Sequence, residues 1–264
     1  MDDAKRFAGD SSCGIAIMAK ASAPGRTKTR LVPPLTFDEA AALNTAFLQD
    51  IAENLLLAGR HAAITGYAAY APHGSEGFFN RILPSAIRLI DACLPNFGDC
   101  LSQTIDELLT RGHRSAVVLN SDSPTLPTAL LVETAEVLAQ PGERAVLGPS
   151  TDGGYYLLGL KTAHRRLFED IAWSAERVAE QTLERAREIN LDVHVLPAWY
   201  DVDDSEGLRR LNSEVRRPRP GTSPFDGHEP NYAAATASLI GHLWADGEFV
   251  RRHESPVPAA AANA

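Results

Sequence analysis

The chain has 264 residues, 44% hydrophobic and 22% charged, with a formal net charge of -9. That length can bury a substantial core. The acidic balance argues against nucleic-acid polymers, whose partners gather Lys and Arg to release counterions, but leaves room for one small anion on a local basic cluster.

In chain order, residues 1–13 read as a polar tail without the apolar core of a secretory signal, and no apolar run is long enough to span a bilayer. Cys13, Cys93 and Cys100 are odd in number and form no C-x-x-C, which points away from a disulfide framework. The expectation is a cytoplasmic protein with no membrane partner. GIAIMA (14–19) reads as a strand. Thr36 and Glu39 have capping-box spacing, and Leu43, Phe47, Ile51 and Leu55 recur every four residues, which predicts a helix of roughly five turns. HAAITGYAAY (61–70) and AIRLIDA (86–92) read as strands. Leu101, Ile105, Leu108 and Leu109 mark a helix face closed by Gly112. SAVVLNSD (115–122) is the clearest buried strand, and a helix on Leu130, Leu131, Thr134, Val137 and Leu138 stops at Pro141-Gly142. AVLGPS and YYLLGL, joined by TDGG (151–154), read as an antiparallel insertion, followed by a helix over 175–189 and by VHVLPAWYDV.

Strand–helix alternation predicts an α/β domain over 14–215, its mostly parallel sheet covered by helices on both faces. From Arg216 to Asn231 the Pro-, Gly- and charge-rich composition reads as a linker. Residues 232–253 read as one C-terminal helix, either packed on the core or pairing with a second subunit as a homodimer, and 254–264 as a flexible tail.

Four segments carry chemistry. KASAPGRTKTRL (20–31) follows the first strand, where open α/β sheets bind ligands. Pro24-Gly25 makes a turn, and Arg26, Lys28 and Arg30 suit phosphate, Arg as a bidentate fork and Lys as a point charge. The P-loop and G-x-G-x-x-G spacings both fail, and a solvated basic loop is the bland alternative. Asp122, closing the best strand ahead of Pro124, is placed either to hold a hard cation or to make an Asx-turn. Asp201, Asp203 and Asp204 crowd another strand exit, where capping of the next helix explains only one of the three. Asp152, Gly153 and Gly154 form either a hairpin turn or a bare backbone beside an acceptor.

Together KASAPGRTKTRL, SDSPTL, GPSTDGGYYLLGL, AWS (172–174) and DVDDSEGL resemble, in order, a family with the glycosyltransferase A fold, labelled selenodomain-associated or arsenosugar-biosynthesis-type glycosyltransferases. That family is similar in fold to phospholactate and molybdenum-cofactor guanylyltransferases. The resemblance spans roughly residues 14–215. It implies a Rossmann-like three-layer α/β/α nucleotide-diphospho-sugar transferase fold, with Mg²⁺ or Mn²⁺ on Asp122 and Asp203. It also implies Lys20, Gly25, Arg26, Lys28 and Arg30 near the phosphates, and Asp152, Gly153, Gly154 and Tyr155 near a small acceptor. Asn120, Ser22-Ala23, Asp204 and Gly207 depart from the family pattern. Lys28, Asp122 and Asp152 are the candidate catalytic residues. The three loop cations favour nucleotidyl transfer from a nucleoside triphosphate to a phosphorylated or hydroxylated acceptor. Glycosyl transfer from a nucleotide sugar is the alternative, and a non-catalytic nucleotide-binding protein a second one.

Overall fold

The computed structural model describes residues 12–92, 94–173, 175–216 and 228–254. Most of both tail readings and all but the ends of the linker reading lie outside these residues; Cys13, read as the end of the N-terminal tail, instead opens the first strand, where it is buried. Seven strands form one sheet: β1 (Cys13–Lys20), β2 (Ile64–Ala71), β3 (Arg88–Asp91), β4 (Ser115–Leu119), β5 (Ala145–Pro149), β6 (Tyr155–Leu160) and β7 (Val193–Val195). Their order is β3-β2-β1-β4-β6-β5-β7. Only β6 runs antiparallel to its neighbours, β4 and β5, as the TDGG reading predicts; the other four pairings are parallel.

The helices are α1 (Phe37–Ala58), α2 (Glu76–Ile82), α3 (Phe97–Thr110), α4 (Thr128–Ala139), α5 (Val178–Glu188), α6 (Ser205–Val215), α7 (Ala234–Ala245) and α8 (Gly247–Glu254). Alternation along the strands sorts side chains onto two faces. Ile15, Ile17, Val117 and Leu119 pack with Phe47 and Ile51 of α1 and Leu130 of α4. Ala16, Val118 and Leu158 pack with Leu101 and Ile105 of α3 and Ala186 of α5. Helix–sheet–helix layering follows, the nucleotide-diphospho-sugar transferase architecture that the resemblance implied.

At the N-terminus of α1 the capping box is complete. The Glu39 amide donates to Thr36 Oγ1 at 3.2 Å and the Thr36 amide donates to Glu39 Oε2 at 2.6 Å. The sequence reading missed α2, a seven-residue helix too short to show a period. It also took 232–253 as one helix, whereas Asp246, extended at φ -80 and ψ 112, separates α7 from α8. Both helices join the α1 face of the core through Ile240, Leu243 and Phe249, each buried. Among the described residues no helix is long and apolar enough to cross a membrane.

The connection from β1 through α1 leads to β2 on one side, and the return through α3 brings β4 to the other side of β1. Strand order therefore reverses at β1, and a crevice opens beyond the carboxyl ends of β1 and β4.

Candidate functional site

The loop after β1 is tied down at its start. Asn44 of α1 donates through Nδ2 to the Lys20 carbonyl at 3.1 Å and to Ser22 Oγ at 2.8 Å. Gly25 supplies the turn at φ +72. Lys28 is left-handed, at φ 51 and ψ 36, a conformation a residue with a Cβ adopts only when its surroundings hold it there. Its side chain is turned inward and 4% exposed. Lys28 Nζ lies 2.6 Å from Asp122 Oδ1 and 3.0 Å from Asp203 Oδ1, and donates to the Val202 carbonyl at 2.8 Å. Burial works against charge on this ammonium, but Asp122 and Asp203 outweigh it and hold the pKa above the usual lysine value.

Backbone bonds stitch the acidic loops together. The Val202 amide donates to the Asp122 carbonyl at 2.9 Å, which fixes the Asp203 segment beside the exit of β4. The Thr151 amide donates to the Trp199 carbonyl at 3.0 Å, which brings the 150–154 turn alongside the same segment. Asp204 is spent on a cap, accepting from the Gly207 amide at 2.8 Å. Asp152 accepts from the Gly154 amide at 2.9 Å, so its carboxylate also closes its own turn. Asp201 is pushed up to about 6, first by burial and then by the charges of Asp152, Asp203 and Asp122.

Two adjoining cavities occupy the crevice. The smaller, of about 270 Å³, is lined by the cations Lys20, Arg26, Lys28 and Arg30. The larger, of about 1090 Å³, is lined by Asp152, Gly153, Gly154 and Tyr155 and also by Phe97 and Trp173. They meet at Arg30, Ser121, Asp122 and Asp203, which line both. Every predicted site residue except Gly25 therefore borders one cavity or both; Gly25 lines neither and acts by bending the chain. Gly153 has a packing role of its own. It sits at φ +92, and a Cβ built there would lie 2.0 Å from the Glu176 carbonyl oxygen, so its bare backbone seats the turn on the lead-in to α5.

The sequence reading missed Phe97, Trp173 and Glu176 as cavity walls. Trp173 belongs to AWS, one of the segments that carry the family resemblance. Its ring meets Phe97 edge-to-face at 5.3 Å and Tyr155 at 6.5 Å. Burial raises the pKa of the Tyr155 hydroxyl, which keeps it neutral at ordinary pH.

Asp122 and Asp203 fit a hard divalent cation in the nature of their donors. Both are carboxylates on the cavity junction, 32% and 42% exposed, and their charges reach Asp201 together with that of Asp152. Two carboxylates are a partial shell that substrate oxygens would complete, the usual arrangement for Mg²⁺. Among the described residues, the three-donor group close enough to share an ion is a different one: His73, Glu76 and Asp91, near the carboxyl ends of β2 and β3.

A family model described as "Uncharacterized protein conserved in bacteria (DUF2064)" matches residues 55–175. That span contains Asp122 and Asp152 but neither Lys28 nor Asp203. No curated protein matches the chain. Among solved structures, the chain is similar to one from Desulfovibrio desulfuricans G20, provisionally described as a nucleotide-diphospho-sugar transferase. The likeness has 25% identity and a TM-score of 0.75 and covers 92% of this chain and 98% of that one. Looser likenesses, in chain path only, are to a cytidylyltransferase from Leptospira borgpetersenii (12% identity, TM-score 0.49, 93% and 98% covered) and to CMP:2-keto-3-deoxy-manno-octonic acid synthetase with CTP (11%, 0.48, 76% and 97%).

Proposed function

We propose that this chain is a metal-assisted, nucleotide-using transferase, with the nucleotide phosphates in the smaller cavity and a small acceptor in the larger. The observation that carries the reading is the Lys28 ammonium set between Asp122 and Asp203 at 2.6 and 3.0 Å, where a cationic cavity meets a large acidic one. Asp122 and Asp203 would hold Mg²⁺ or Mn²⁺, whose chemistry is to neutralise phosphate charge and polarise the bond that breaks.

The first reading is nucleotidyl transfer. Four cations against two carboxylates leave the smaller cavity a surplus of two positive charges, and a divalent ion raises this to about the charge of a nucleoside triphosphate. Arg26 and Arg30 bind the phosphate tail, and Lys28 holds the two carboxylates in register. The acceptor hydroxyl oxygen attacks the α-phosphorus and forms a new P–O bond. The bond to the β-phosphate oxygen breaks, pyrophosphate departs, and the hydroxyl proton passes to Asp152. The second reading, glycosyl transfer, is favoured by the likeness to the Desulfovibrio protein. There the acceptor oxygen bonds the anomeric carbon and a nucleoside diphosphate leaves. The resemblance to selenodomain-associated and arsenosugar-type transferases is compatible with either.

A thermal-shift panel of nucleoside triphosphates and nucleotide sugars, with and without Mg²⁺ or Mn²⁺, tests the proposal. A ligand at a hundred times its dissociation constant stabilises by about 2.7 kcal/mol. Hits are then assayed for pyrophosphate or nucleoside-diphosphate release. Asp122→Asn is expected to cost at least about 10²-fold in turnover, assayed below an unfolding midpoint that falls because buried Lys28 loses one of its two carboxylates. Turnover like that of the natural chain would remove Asp122 from the mechanism.

A further inference from the structure

The two cavities differ in charge, and the difference bears on the acceptor. Building on the transfer reaction proposed above, we infer that the acceptor is an uncharged, hydroxyl-bearing ring, a neutral sugar or cyclitol, and that phosphorylated and carboxylated molecules are excluded. Among the described residues, Arg30 is the only basic side chain lining the larger cavity, and it also borders the phosphate cavity. Asp122 and Asp203, at the junction, already face Lys28. Asp152 and Glu176 line the larger cavity beyond that junction. An anionic acceptor would sit against these carboxylates without a cation to match it, whereas hydroxyl groups donate to them.

The remaining wall has a complementary character. Phe97 is 53% exposed despite its size, and its ring stands edge-to-face against Trp173 at 5.3 Å. A lining that combines aromatic rings with carboxylate acceptors offers partners to both surfaces of a sugar ring, its C–H face and its hydroxyl edge. The volume of about 1090 Å³ is ample for such a ring beside the end of a nucleotide.

The test is calorimetric titration of the full chain, alone and with whichever nucleotide the thermal panel identifies. The probes are the common neutral hexoses and pentoses, myo-inositol, glucosamine, glucose 6-phosphate and glucuronate. At least one neutral ring is expected to bind tenfold or more tighter than glucose 6-phosphate and glucuronate. Trp173→Ala is expected to weaken the neutral ring tenfold or more. Glu176→Lys, at an exposed position, is expected to raise affinity for the sugar phosphate by a similar factor. The nucleotide-induced thermal shift serves as the fold control for both variants. Preference for a phosphorylated or carboxylated probe, binding of glucosamine alone, or no binding of any neutral ring overturns the inference. So does indifference of both titrations to both substitutions. Failure of every nucleotide to shift the midpoint would instead sink the transferase reading, and the titrations on the chain alone would still decide the charge preference of the cavity.

Discussion

At the scale of single residues, the cleft depends on backbone conformations that ordinary side chains resist. Gly153, at φ +92, has the Glu176 carbonyl oxygen where its own Cβ would stand. Gly153→Ala must accept a left-handed backbone and push the lead-in of α5 away, which is expected to cost about 2–4 kcal/mol in urea unfolding. An unchanged midpoint would mean the turn can move off Glu176 freely. Lys28 accepts a left-handed conformation with a side chain attached, and its three polar contacts, to Asp122, Asp203 and Val202, are what hold it. The sequence named Lys28, Asp122 and Asp203 from residue type and strand position. That the lysine lies between the two carboxylates was not legible, because no sequence pattern encodes contacts between residues so far apart along the chain.

Among the elements, α1 links the cleft to the C-terminus. Its Asp50, buried, accepts from the amides of Ala235 and Thr236 at 2.9 and 2.7 Å and so caps the start of α7. Burial raises the Asp50 pKa above 3.8, opposed only in part by those bonds. The folded state then holds this proton more tightly than the unfolded chain, so the stability Asp50 contributes is greatest at acidic pH and declines as pH rises through the raised value. Relative to Asp50→Asn, the natural chain should lose stability as pH rises above about 4 in urea unfolding. A difference that stays flat across that range would mean Asp50 ionises like an exposed carboxylate. At the other end of the segment, Arg252 of α8 grips Glu39 of the capping box at 2.7 and 2.8 Å and donates to the Pro34 carbonyl at 3.0 Å. The capping box itself was readable from Thr36 and Glu39, since both partners are local. Its arginine partner, more than two hundred residues away, was not.

For the molecule as a whole, the C-terminal helices belong to the main core. Ile240, Leu243 and Phe249 pack on the α1 face, and the Asn231 amide donates to the Thr125 carbonyl at 3.0 Å, close to Asp122. Each buried apolar side chain is worth about 1.5–3 kcal/mol, against a total of about 5–15 kcal/mol for a typical domain. A chain ending at residue 216 is therefore expected to lose about 10 °C or more in its unfolding midpoint, measured by calorimetry. Retention of the full midpoint would mean that residues 232–253 add nothing to the stability of the core. The sequence identified residues 232–253 as helical, but the break at Asp246 and the surface the two helices cover come from packing.

From its sequence alone this chain announced strand–helix alternation, a cationic loop after the first strand, carboxylates at later strand ends and an Asp-Gly turn in an antiparallel pair. Hydrophobic period, turn chemistry and residue type are local properties, and a linear string records them faithfully. Tertiary structure alone decided that the lysine stands between two aspartates, that Phe97 and Trp173 line the larger cavity, and that one cavity is cationic while its neighbour is acidic. Those facts depend on the reversal of strand order at β1, which gathers loops from across the chain at one sheet edge.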